Sequence, residues 1–251
     1  MDISIAITCF NEEEFIVDTI NSVLMALKRL PFSYEIIVID DASKDGSVQK
    51  IKDWTSRNRD VPLRLIENKV NKGVANNFID GAFAAQGDYY RLCCGDDAES
   101  TETLIRIFKN IGKSDVIIPV QNQSEVLKKT RLRKFISKAV TGLANTISGF
   151  NIGYYNGLPI IRRYLVLRFP PITYGFGYQI DILTRLLDEG ITYLQVPHIV
   201  SIDRKGDKSV AVSLRNILSV IHTFIEIGFR RIRRVMYRNA IPRSKEIIYE
   251  I

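Results

Sequence analysis

The stretch "YEIIVIDDASKDGS" (Tyr34–Ser47) decides the fold class of this 251-residue chain. Its first seven residues are almost continuously apolar and β-branched, which indicates a strand buried on both faces. Two aspartates, Asp40 and Asp41, end the strand, and turn-forming residues then lead into a helical pattern. A buried strand that stops at paired carboxylates and continues as a helix is typical of a parallel α/β sheet.

The same pattern recurs through the first half of the chain. Five apolar runs are predicted strands: Ile3–Thr8, Tyr34–Asp40, Leu63–Glu67, Asp88–Cys94 and Asp115–Pro119. Helical patterns separate them, so we expect an α/β fold with a mostly parallel central sheet flanked by helices. The polar clusters "NEEE", "DDAS", "NKG" and "GDDAES" follow the first four strands. Because ligands bind at the carboxyl ends of such strands, these clusters predict a binding site there.

The cluster "RLCCGDDAES" (Arg91–Ser100) places Asp96 and Asp97 together at a strand end. Two carboxylates repel each other, so a positive partner is expected opposite them. A hard divalent cation bound through these oxygens could in turn hold a diphosphate. Asp40 and Asp41 can accept hydrogen bonds from a nucleobase or a ribose. The pattern indicates a nucleotide-diphosphate site but leaves the reaction open, and helix capping or an Asx turn are the structural alternatives.

The composition favours anionic partners, because the net charge is +7 and the pI is about 9.3. Phosphates and an anionic membrane surface fit this charge, whereas no nucleic-acid-binding motif is present. Three cysteines without disulfide or zinc spacing, and no signal-peptide pattern before the first strand, predict a cytoplasmic location. The apolar segment Asn216–Phe229 carries His222 and Glu226, and is too short and too polar to span a bilayer.

The second half of the chain is more basic. A basic segment covers Lys128–Lys138, and an amphipathic helix is predicted within Gly177–Gly190. Residues 210–251 are predicted to form a basic amphipathic helix and tail. Its segment Leu214–Arg238 carries six arginines against one acid, Glu226, so we expect peripheral association with the inner face of a membrane.

The blocks "ITCFNEEE", "EIIVIDDASKDGS", "NKGVANN", "AAQGDYYRLCCGDD" and "GYQIDILTRLLDEGITYLQVP" together resemble a family 2 glycosyltransferase of the GT-A fold. The resemblance spans Ile3 to Arg204. Within the family, the chain is similar to dolichol-phosphate mannose synthases and related polyprenyl-phosphate sugar transferases. It implies a glycosyltransferase domain over residues 1–209, with a nucleotide-sugar-binding half (1–120) and an acceptor half (121–209).

The resemblance also implies roles for individual residues. Those that match the donor-binding motifs are Thr8, Phe10, Asn11, Glu12, Asp40, Asp41, Lys72 and Gly73. Asp96 matches the metal ligand that ends the family's D-x-D signature, with Mg²⁺ or Mn²⁺ as the cofactor. Asp97 is a supporting acid, and Cys94 stands where the first acid of that signature is usual. Together with Gln179, Asp96 and Asp97 form the implied catalytic group.

Gln179 occupies a position where relatives that use hydroxyl acceptors carry an acid. A hydroxyl needs a base to remove its proton, whereas a lipid phosphate is already an anionic nucleophile. Arg131, Arg133 and Arg204 are the implied acceptor-binding residues. The resemblance therefore implies an inverting, metal-dependent transfer of a sugar from a UDP- or GDP-sugar to a polyprenyl phosphate at the cytoplasmic membrane face.

Two other functions stay open from the sequence. The acceptor could be a sugar hydroxyl of a glycolipid in surface polysaccharide or glycan assembly, with Asp181 or Asp203 as the base. Alternatively, the chain could bind nucleotide-sugars without catalysis, because the first acid of the metal signature is absent. A membrane-protein partner or a homo-oligomer is also left open.

Overall fold

The computed structural model describes residues 1–121, 131–170, 175–198, 214–237 and 245–247. The strands of the described chain are β1 (Ile3–Cys9), β2 (Tyr34–Asp40), β3 (Leu63–Glu67), β4 (Tyr89–Cys94), β5 (Val116–Gln121), β6 (Ile160–Arg162), β7 (Thr192–His198) and β8 (Lys245–Glu246). The helices are α1 (Ile16–Lys28), α2 (Ser47–Arg57), α3 (Val74–Ala84), α4 (Thr101–Phe108), α5 (Arg131–Ser148), α6 (Arg163–Arg168), α7 (Tyr178–Leu187) and α8 (Leu214–Tyr237).

The strands form one sheet in the order β3-β2-β1-β4-β6-β5-β7-β8. β1, β2, β3 and β4 are parallel, as are β5, β7 and β8, whereas β6 runs antiparallel to both β4 and β5. This confirms the predicted α/β fold with its mostly parallel central sheet flanked by helices. The first four predicted strands are parallel, so their carboxyl ends lie at one edge of the sheet.

The core has two layers because the central strands are buried on both faces. Ile36 and Val38 of β2 face the layer that contains α1, α2 and α4, and the alternate residues Ile37 and Ile39 face the opposite layer. All four side chains are 0% exposed. Full burial of such a side chain contributes roughly 1.5–3 kcal/mol, so this apolar strand holds both layers together.

The predicted C-terminal helix is present as α8, which packs on α5, on α7 and on a short 3₁₀ turn at Gly175–Gly177. Among the described residues, no helix combines the length and the apolarity that a membrane crossing requires. The proposed boundary at residue 209 lies outside the described residues and stays a prediction.

Candidate active site

An open cleft of about 630 Å³ lies at the carboxyl ends of β1, β2 and β4. Its lining combines strand-end residues with a wall from the second half of the chain. The lining residues are Thr8, Phe10, Glu12, Asp41, Asn71, Gly73, Val74, Cys94, Gly95, Asp96, Tyr154, Asn156, Leu158, Tyr178 and Gln179. Seven of the predicted site residues are therefore brought together here: Thr8, Phe10, Glu12, Asp41, Gly73, Asp96 and Gln179.

Asp41 organises the loop that covers one end of the cleft. Its Oδ1 accepts hydrogen bonds from the backbone N–H of Lys72 at 2.8 Å and from Asn68 Nδ2 at 3.0 Å, and its Oδ2 accepts from the N–H of Gly73 at 2.8 Å. The Asp41 side chain is buried, with 2% exposure. Gly73 has φ of +80°, a conformation that a residue with Cβ rarely adopts. Asp41 therefore fixes this loop while lining the cleft.

Asp40 and Asn11 brace the neighbouring turns and do not line the cleft. Asp40 Oδ2 accepts from the N–H of Ser43 at 3.0 Å, in an Asx-type turn. Asn11 donates its own N–H to Ser43 Oγ at 2.9 Å, and its Oδ1 accepts from the N–H of Lys44 at 2.8 Å. These bonds hold the turn after β1 against the turn after β2. Donor contacts by Asp40 and Asn11 stay predictions.

The acid turn after β4 directs its two aspartates differently. Asp96 lines the cleft, whereas Asp97 Oδ1 accepts from Ser22 Oγ at 3.2 Å and the Asp97 N–H donates to Thr19 Oγ1 at 2.8 Å. Both of these partners lie on α1. Burial raises the pKa of the Asp97 carboxyl, although the hydrogen bond from Ser22 opposes the shift. A supporting role fits Asp97, whose side chain points away from the cleft.

Gly95 lets this acid turn close tightly against β1. Its N–H donates to the carbonyl of Thr8 at 2.8 Å. A Cβ at Gly95 would lie 2.8 Å from that carbonyl oxygen and 3.1 Å from Ile16 Cδ1. Any larger residue would push Asp96 away from the ends of β1 and β2, so the glycine keeps the acid near the predicted donor-binding residues.

A divalent cation at this turn would need ligands beyond those that the described residues supply. The described residues contain no cluster of three or more His, Cys, Asp or Glu side chains arranged around a common point. Mg²⁺ typically retains several waters and is bound by one or two carboxylates together with substrate phosphates. Asp96 supplies one such carboxylate in the cleft, and Cys94, a softer ligand, lines the cleft where the family carries the first acid.

The opposite wall of the cleft is built around Leu158. Gln179, the second residue of α7, accepts the N–H of Leu158 on its Oε1 at 2.9 Å. The carbonyl of Leu158 accepts from Arg91 Nε at 2.9 Å, and Arg91 Nη2 pairs with Glu99 at 2.7 and 3.0 Å. Arg91 is fully buried in β4. One arginine thus connects the acid turn to the wall that carries Gln179.

Two buried polar atoms of this wall have no hydrogen-bond partner in the described part of the chain. They are Asn156 Oδ1 and the hydroxyl of Tyr178. Burial raises the pKa of the Tyr178 hydroxyl, so this group is a neutral donor or acceptor. Buried polar groups are nearly always paired, and orphaned ones at a cleft wall indicate where a polar ligand or water completes the bonding. Both residues line the cleft.

Four non-glycine residues of the described chain have a positive φ, and all four are close to the cleft. They are Asn11 (57°), Ala42 (65°), Asp97 (48°) and Leu158 (51°). The first three follow β1, β2 and β4, and the fourth faces them. This left-handed conformation costs roughly 1–2 kcal/mol for a residue with Cβ. Such strain is concentrated at functional sites, where the surrounding bonds hold it in place.

Lys72 is not among the residues that line the cleft. Lys72 contributes only its backbone to the Asp41 bond, and its Nζ pairs with Asp80 at 2.6 Å. Arg131 and Arg133 open α5, but their side chains are not described, and Arg204 and Asp203 lie outside the described residues. Acceptor binding by the three arginines stays a prediction.

The Asp181 side chain, a candidate base from the sequence, is fully buried, with 0% exposure. Its Oδ1 pairs with Arg230 at 2.7 Å and with Arg185 at 3.3 Å. These two guanidinium groups occupy the carboxylate within the protein interior. It is also absent from the cleft lining. The structure therefore gives Asp181 a role in attaching α8 to α7.

Sequence reasoning missed most of the second wall: Tyr154, Asn156 and Leu158 were not identified as site residues. They come from the segment "SGFNIGYYNGLP", whose unusual content of aromatic, glycine and asparagine residues is the only local signal. Nothing local in that segment indicates that it returns to the ends of β1 and β4.

A cleft at the carboxyl ends of the strands of a mostly parallel sheet is where proteins of the α/β class bind their ligands. The sequence model of the family described as "Glycosyl transferase family 2" matches residues 4–169. This match covers more than half of the 251 residues, so the chain belongs to glycosyl transferase family 2.

Several curated relatives are similar over about three fifths of this chain. A poly-beta-1,6-N-acetyl-D-glucosamine synthase of Staphylococcus epidermidis is 30% identical over 59% of the chain and 38% of its own length. A dolichyl-phosphate beta-glucosyltransferase of Dictyostelium discoideum is 25% identical, over 60% and 53%. An undecaprenyl-phosphate 4-deoxy-4-formamido-L-arabinose transferase of Pseudomonas fluorescens is 27% identical, over 61% and 46%. The chain thus spans between a third and about half of the length of these relatives.

Solved structures confirm the GT-A fold. Glucosyl-3-phosphoglycerate synthase from Mycobacterium tuberculosis, in complex with Mg²⁺ and uridine-diphosphate, superposes with a TM-score of 0.64 at 14% identity. That comparison covers 91% of this chain and 79% of the synthase. A mannosyltransferase from Pyrobaculum calidifontis, in complex with GDP-Man and Mn²⁺, superposes with a TM-score of 0.58 at 14% identity, over 95% and 76%.

Proposed function

We propose that the chain is an inverting, metal-dependent glycosyltransferase that moves a sugar from a UDP- or GDP-sugar to a polyprenyl phosphate at the cytoplasmic face of a membrane. The observation that carries this proposal is the cleft itself. Its strand-end side presents Asp41 and Asp96, and its opposite wall presents Gln179 and the orphaned polar atoms of Asn156 and Tyr178. Acids on one side suit a metal-bound diphosphate, and neutral polar groups on the other suit a sugar.

Donor binding is assigned to the strand-end side. Phe10 lines the cleft with 46% of its surface exposed, which suits stacking against a nucleobase. Asp41 lies next to it and suits a base or ribose contact. Asp96 would hold the divalent cation, whose chemistry is to neutralise the charge that develops on the leaving diphosphate. Solved structures of similar fold contain Mg²⁺ with UDP and Mn²⁺ with GDP-Man, which supports this cofactor assignment.

The acceptor assignment depends on the orientation of the Gln179 amide. Because the backbone N–H of Leu158 can only donate, the atom of Gln179 that receives it is the carbonyl oxygen. The remaining function of this amide is its NH₂ group, which donates hydrogen bonds and cannot remove a proton. Two relatives carry dolichyl-phosphate and undecaprenyl-phosphate in their names, which supports a lipid phosphate as the nucleophile.

A single in-line displacement is the simplest reaction for this geometry. The phosphate oxygen of the acceptor attacks the anomeric carbon from the Gln179 side, and the nucleotide diphosphate leaves towards Asp96. One displacement inverts the configuration at that carbon. Arg131, Arg133 and Arg204 are proposed to bind the acceptor phosphate, because a guanidinium fork matches phosphate oxygens.

A glycolipid hydroxyl is the second candidate acceptor, favoured by the similarity to a poly-beta-1,6-N-acetyl-D-glucosamine synthase. It requires a base, and the carboxylates that line the described cleft are Glu12, Asp41 and Asp96. Asp41 already accepts three hydrogen bonds. Asp181, the base that the sequence suggested, is buried in ion pairs. The bonds of Asp41 and Asp181 support the phosphate acceptor, and Glu12 is the base that a hydroxyl acceptor would require.

The test compares three acceptors with labelled donor sugar: polyprenyl phosphate, dephosphorylated polyprenol and a set of free saccharides. We expect transfer to polyprenyl phosphate alone. Gln179→Glu should reduce this transfer: the carboxylate can still accept the N–H of Leu158, but its negative charge repels the acceptor phosphate. Equal transfer to polyprenol or to a saccharide, or a gain of activity in Gln179→Glu, would show that a hydroxyl is the acceptor.

A further inference from the structure

Helix α8 (Leu214–Tyr237) packs on the protein through its polar face. Thr223 and Ile227 are fully buried, and Ser219 Oγ accepts the N–H of Gly177 at 3.4 Å. Ordinary surface helices place an apolar stripe towards the core and charged residues outside. In α8 most large apolar side chains instead face outward, although Ile227 and Phe224 pack against the core.

Two arginines of α8 are directed inward and paired. Arg230 Nη1 lies 2.7 Å from Asp181 Oδ1, and its Nη2 donates to Thr184 Oγ1 at 2.7 Å. Arg231 Nη2 lies 2.6 Å from Asp188 Oδ1. Asp181 and Asp188 are buried, with 0% and 3% exposure. These guanidinium groups attach α8 to α7 and are not available to lipid phosphates, contrary to the sequence-based expectation that they attract a membrane.

The outward face of α8 is a continuous apolar surface. Its members recur at intervals of three and four residues, which places them on one side of the helix. We name this surface the α8 stripe: Leu218, Ile221, Ile225, Phe229, Ile232 and Met236. Each of these side chains is between 49% and 70% exposed. Val235 and Ile217, at 80% and 44%, lie at its margin.

Soluble monomers rarely expose contiguous apolar patches larger than about 300–600 Å², and larger ones mark an interaction surface. Phe135 and Leu143 of α5, the helix that packs beside α8, are also exposed, at 71% and 47%. Six large side chains along a helix of roughly 36 Å, by 1.5 Å per residue, form a long ridge, not a pocket. A ridge of this kind suits a flat, apolar medium.

Charge favours a lipid bilayer over a second copy of the chain. The chain carries a net charge of +7, so two copies repel, whereas an anionic leaflet attracts each of them. Exposed basic residues flank the apolar surface at Lys138 and Arg233. The acid of α8, Glu226, has His222 as an i,i+4 neighbour at 3.7 Å. A helix that lies in the membrane interface has this pattern: its apolar residues face the lipid, and basic residues lie at the margin of the apolar face.

We propose that the α8 stripe inserts into the head-group region of an anionic bilayer, while Arg230 and Arg231 lock the helix to the protein. The main attraction is then hydrophobic, with a smaller electrostatic contribution from the flanking basic residues. α8 packs on α7, the helix that places Gln179 in the cleft. The inference rests on the proposed function in one respect: a lipid acceptor requires the acceptor side of the cleft to face the membrane.

Vesicle flotation of the full chain tests this proposal without any donor or acceptor. Vesicles contain phosphatidylglycerol and phosphatidylethanolamine, and no polyprenyl phosphate. We expect the wild-type chain to float with these vesicles and to remain largely bound at about 0.5 M salt, where charge interactions are strongly screened. The double variant Ile225→Glu/Phe229→Glu should lower the bound fraction at least tenfold.

Phe83→Glu is the matched control. Phe83 lies on α3 and is 67% exposed, against 65% for Phe229, so the same change is made at an equally exposed ring. This variant should float as the wild type does, and thermal melting should show that all three proteins are folded. Unchanged flotation of the double variant would overturn the proposal. So would a wild-type chain that does not float but forms a dimer that the double variant abolishes.

The two proposals fail separately. Flotation without sugar transfer would leave the α8 stripe as a membrane contact and remove the proposed reaction. Transfer to a detergent-solubilised polyprenyl phosphate without flotation would support the reaction and remove the insertion of α8.

Discussion

Replacement of Asp41 by alanine should weaken both the fold and donor binding. Asp41 accepts hydrogen bonds from the backbone N–H groups of Lys72 and Gly73, both at 2.8 Å, and from Asn68 Nδ2 at 3.0 Å. A hydrogen bond to a charged group contributes about 1.5–3 kcal/mol, but the three are not additive and water can reach the exposed loop. We therefore expect Asp41→Ala to lower the free energy of unfolding by about 2–4 kcal/mol.

Thermal melting and steady-state kinetics with nucleotide-sugars measure the two effects. For a domain of this size, 1 kcal/mol corresponds to about 2–4 °C, so the melting temperature should fall by roughly 5–15 °C. The donor KM should rise with little change in kcat, because the contact exists in the ground state and the transition state alike.

Asp80→Ala is the control for Asp41→Ala. Asp80 pairs with Lys72 Nζ at 2.6 Å, and both side chains are more than 40% exposed. An exposed ion pair contributes less than about 1 kcal/mol, so Asp80→Ala should change melting by only a few degrees. The reasoning is wrong if Asp41→Ala has the same melting temperature as Asp80→Ala. It is also wrong if the kcat of Asp41→Ala collapses while its donor KM is unchanged.

Three further predictions concern groups around the cleft. Arg91→Lys keeps a positive charge in β4 but offers one nitrogen in place of the three nitrogens that Arg91 uses for hydrogen bonds. We therefore expect kcat to fall at least tenfold while the donor KD stays nearly constant. An unaltered kcat would contradict a positioning role for Arg91. Arg230→Met removes the guanidinium that lies 2.7 Å from the buried Asp181 carboxylate and should cost up to about 3–5 kcal/mol in chemical denaturation. The double variant Arg230→Met/Asp181→Leu should recover most of this loss. Burial raises the pKa of Asp97, so its ionised form reduces stability above that pKa and this penalty disappears as the pH falls below the ordinary aspartate value. Asp97→Asn should therefore melt higher than the wild type at pH 7 and equally at about pH 3, and a constant difference across this range would refute the assignment.

The sheet was predictable because its central strands are buried on both faces. β2 and β3 have the bounds that the apolar runs indicate, and β1 differs by one residue at its end. The antiparallel β6 was missed, since Ile160–Arg162 has three residues and no measurable periodicity. Its pairing with β4 and β5 is a tertiary contact that a local pattern does not contain.

The site was predictable on one side only. Parallel strands bring their carboxyl ends to one edge, so Asp41 and Asp96 follow from topology. The opposite wall depends on contacts across long sequence separations, such as the bond between Arg91 and the carbonyl of Leu158, 67 positions apart. Nothing near Arg91 in "DYYRLCC" indicates that partner.

The orientation of α8 could not be derived from its amphipathic pattern. A period of 3.6 residues shows that a helix has two faces, but it does not show which face packs inward. Asp181 is buried in α7 and Asp188 is buried at the C-terminal cap of that helix, and they pair with Arg230 and Arg231 of α8. With these arginines directed inward, the opposite face of α8, which carries the α8 stripe, faces outward.

The central claim is that the strand-end cleft binds a nucleotide-diphosphate sugar together with a divalent cation on Asp96. Calorimetric titration of UDP- and GDP-sugars, with Mg²⁺ or Mn²⁺ and again with EDTA, tests it most directly. Asp96→Asn and Asp97→Asn make the same chemical change at neighbouring residues, of which only Asp96 lines the cleft. We predict saturable, cation-dependent binding that Asp96→Asn weakens at least a hundredfold, about 2.7 kcal/mol, and that Asp97→Asn weakens less than tenfold. Equal binding with EDTA, or equal loss in the two variants, would contradict the claim.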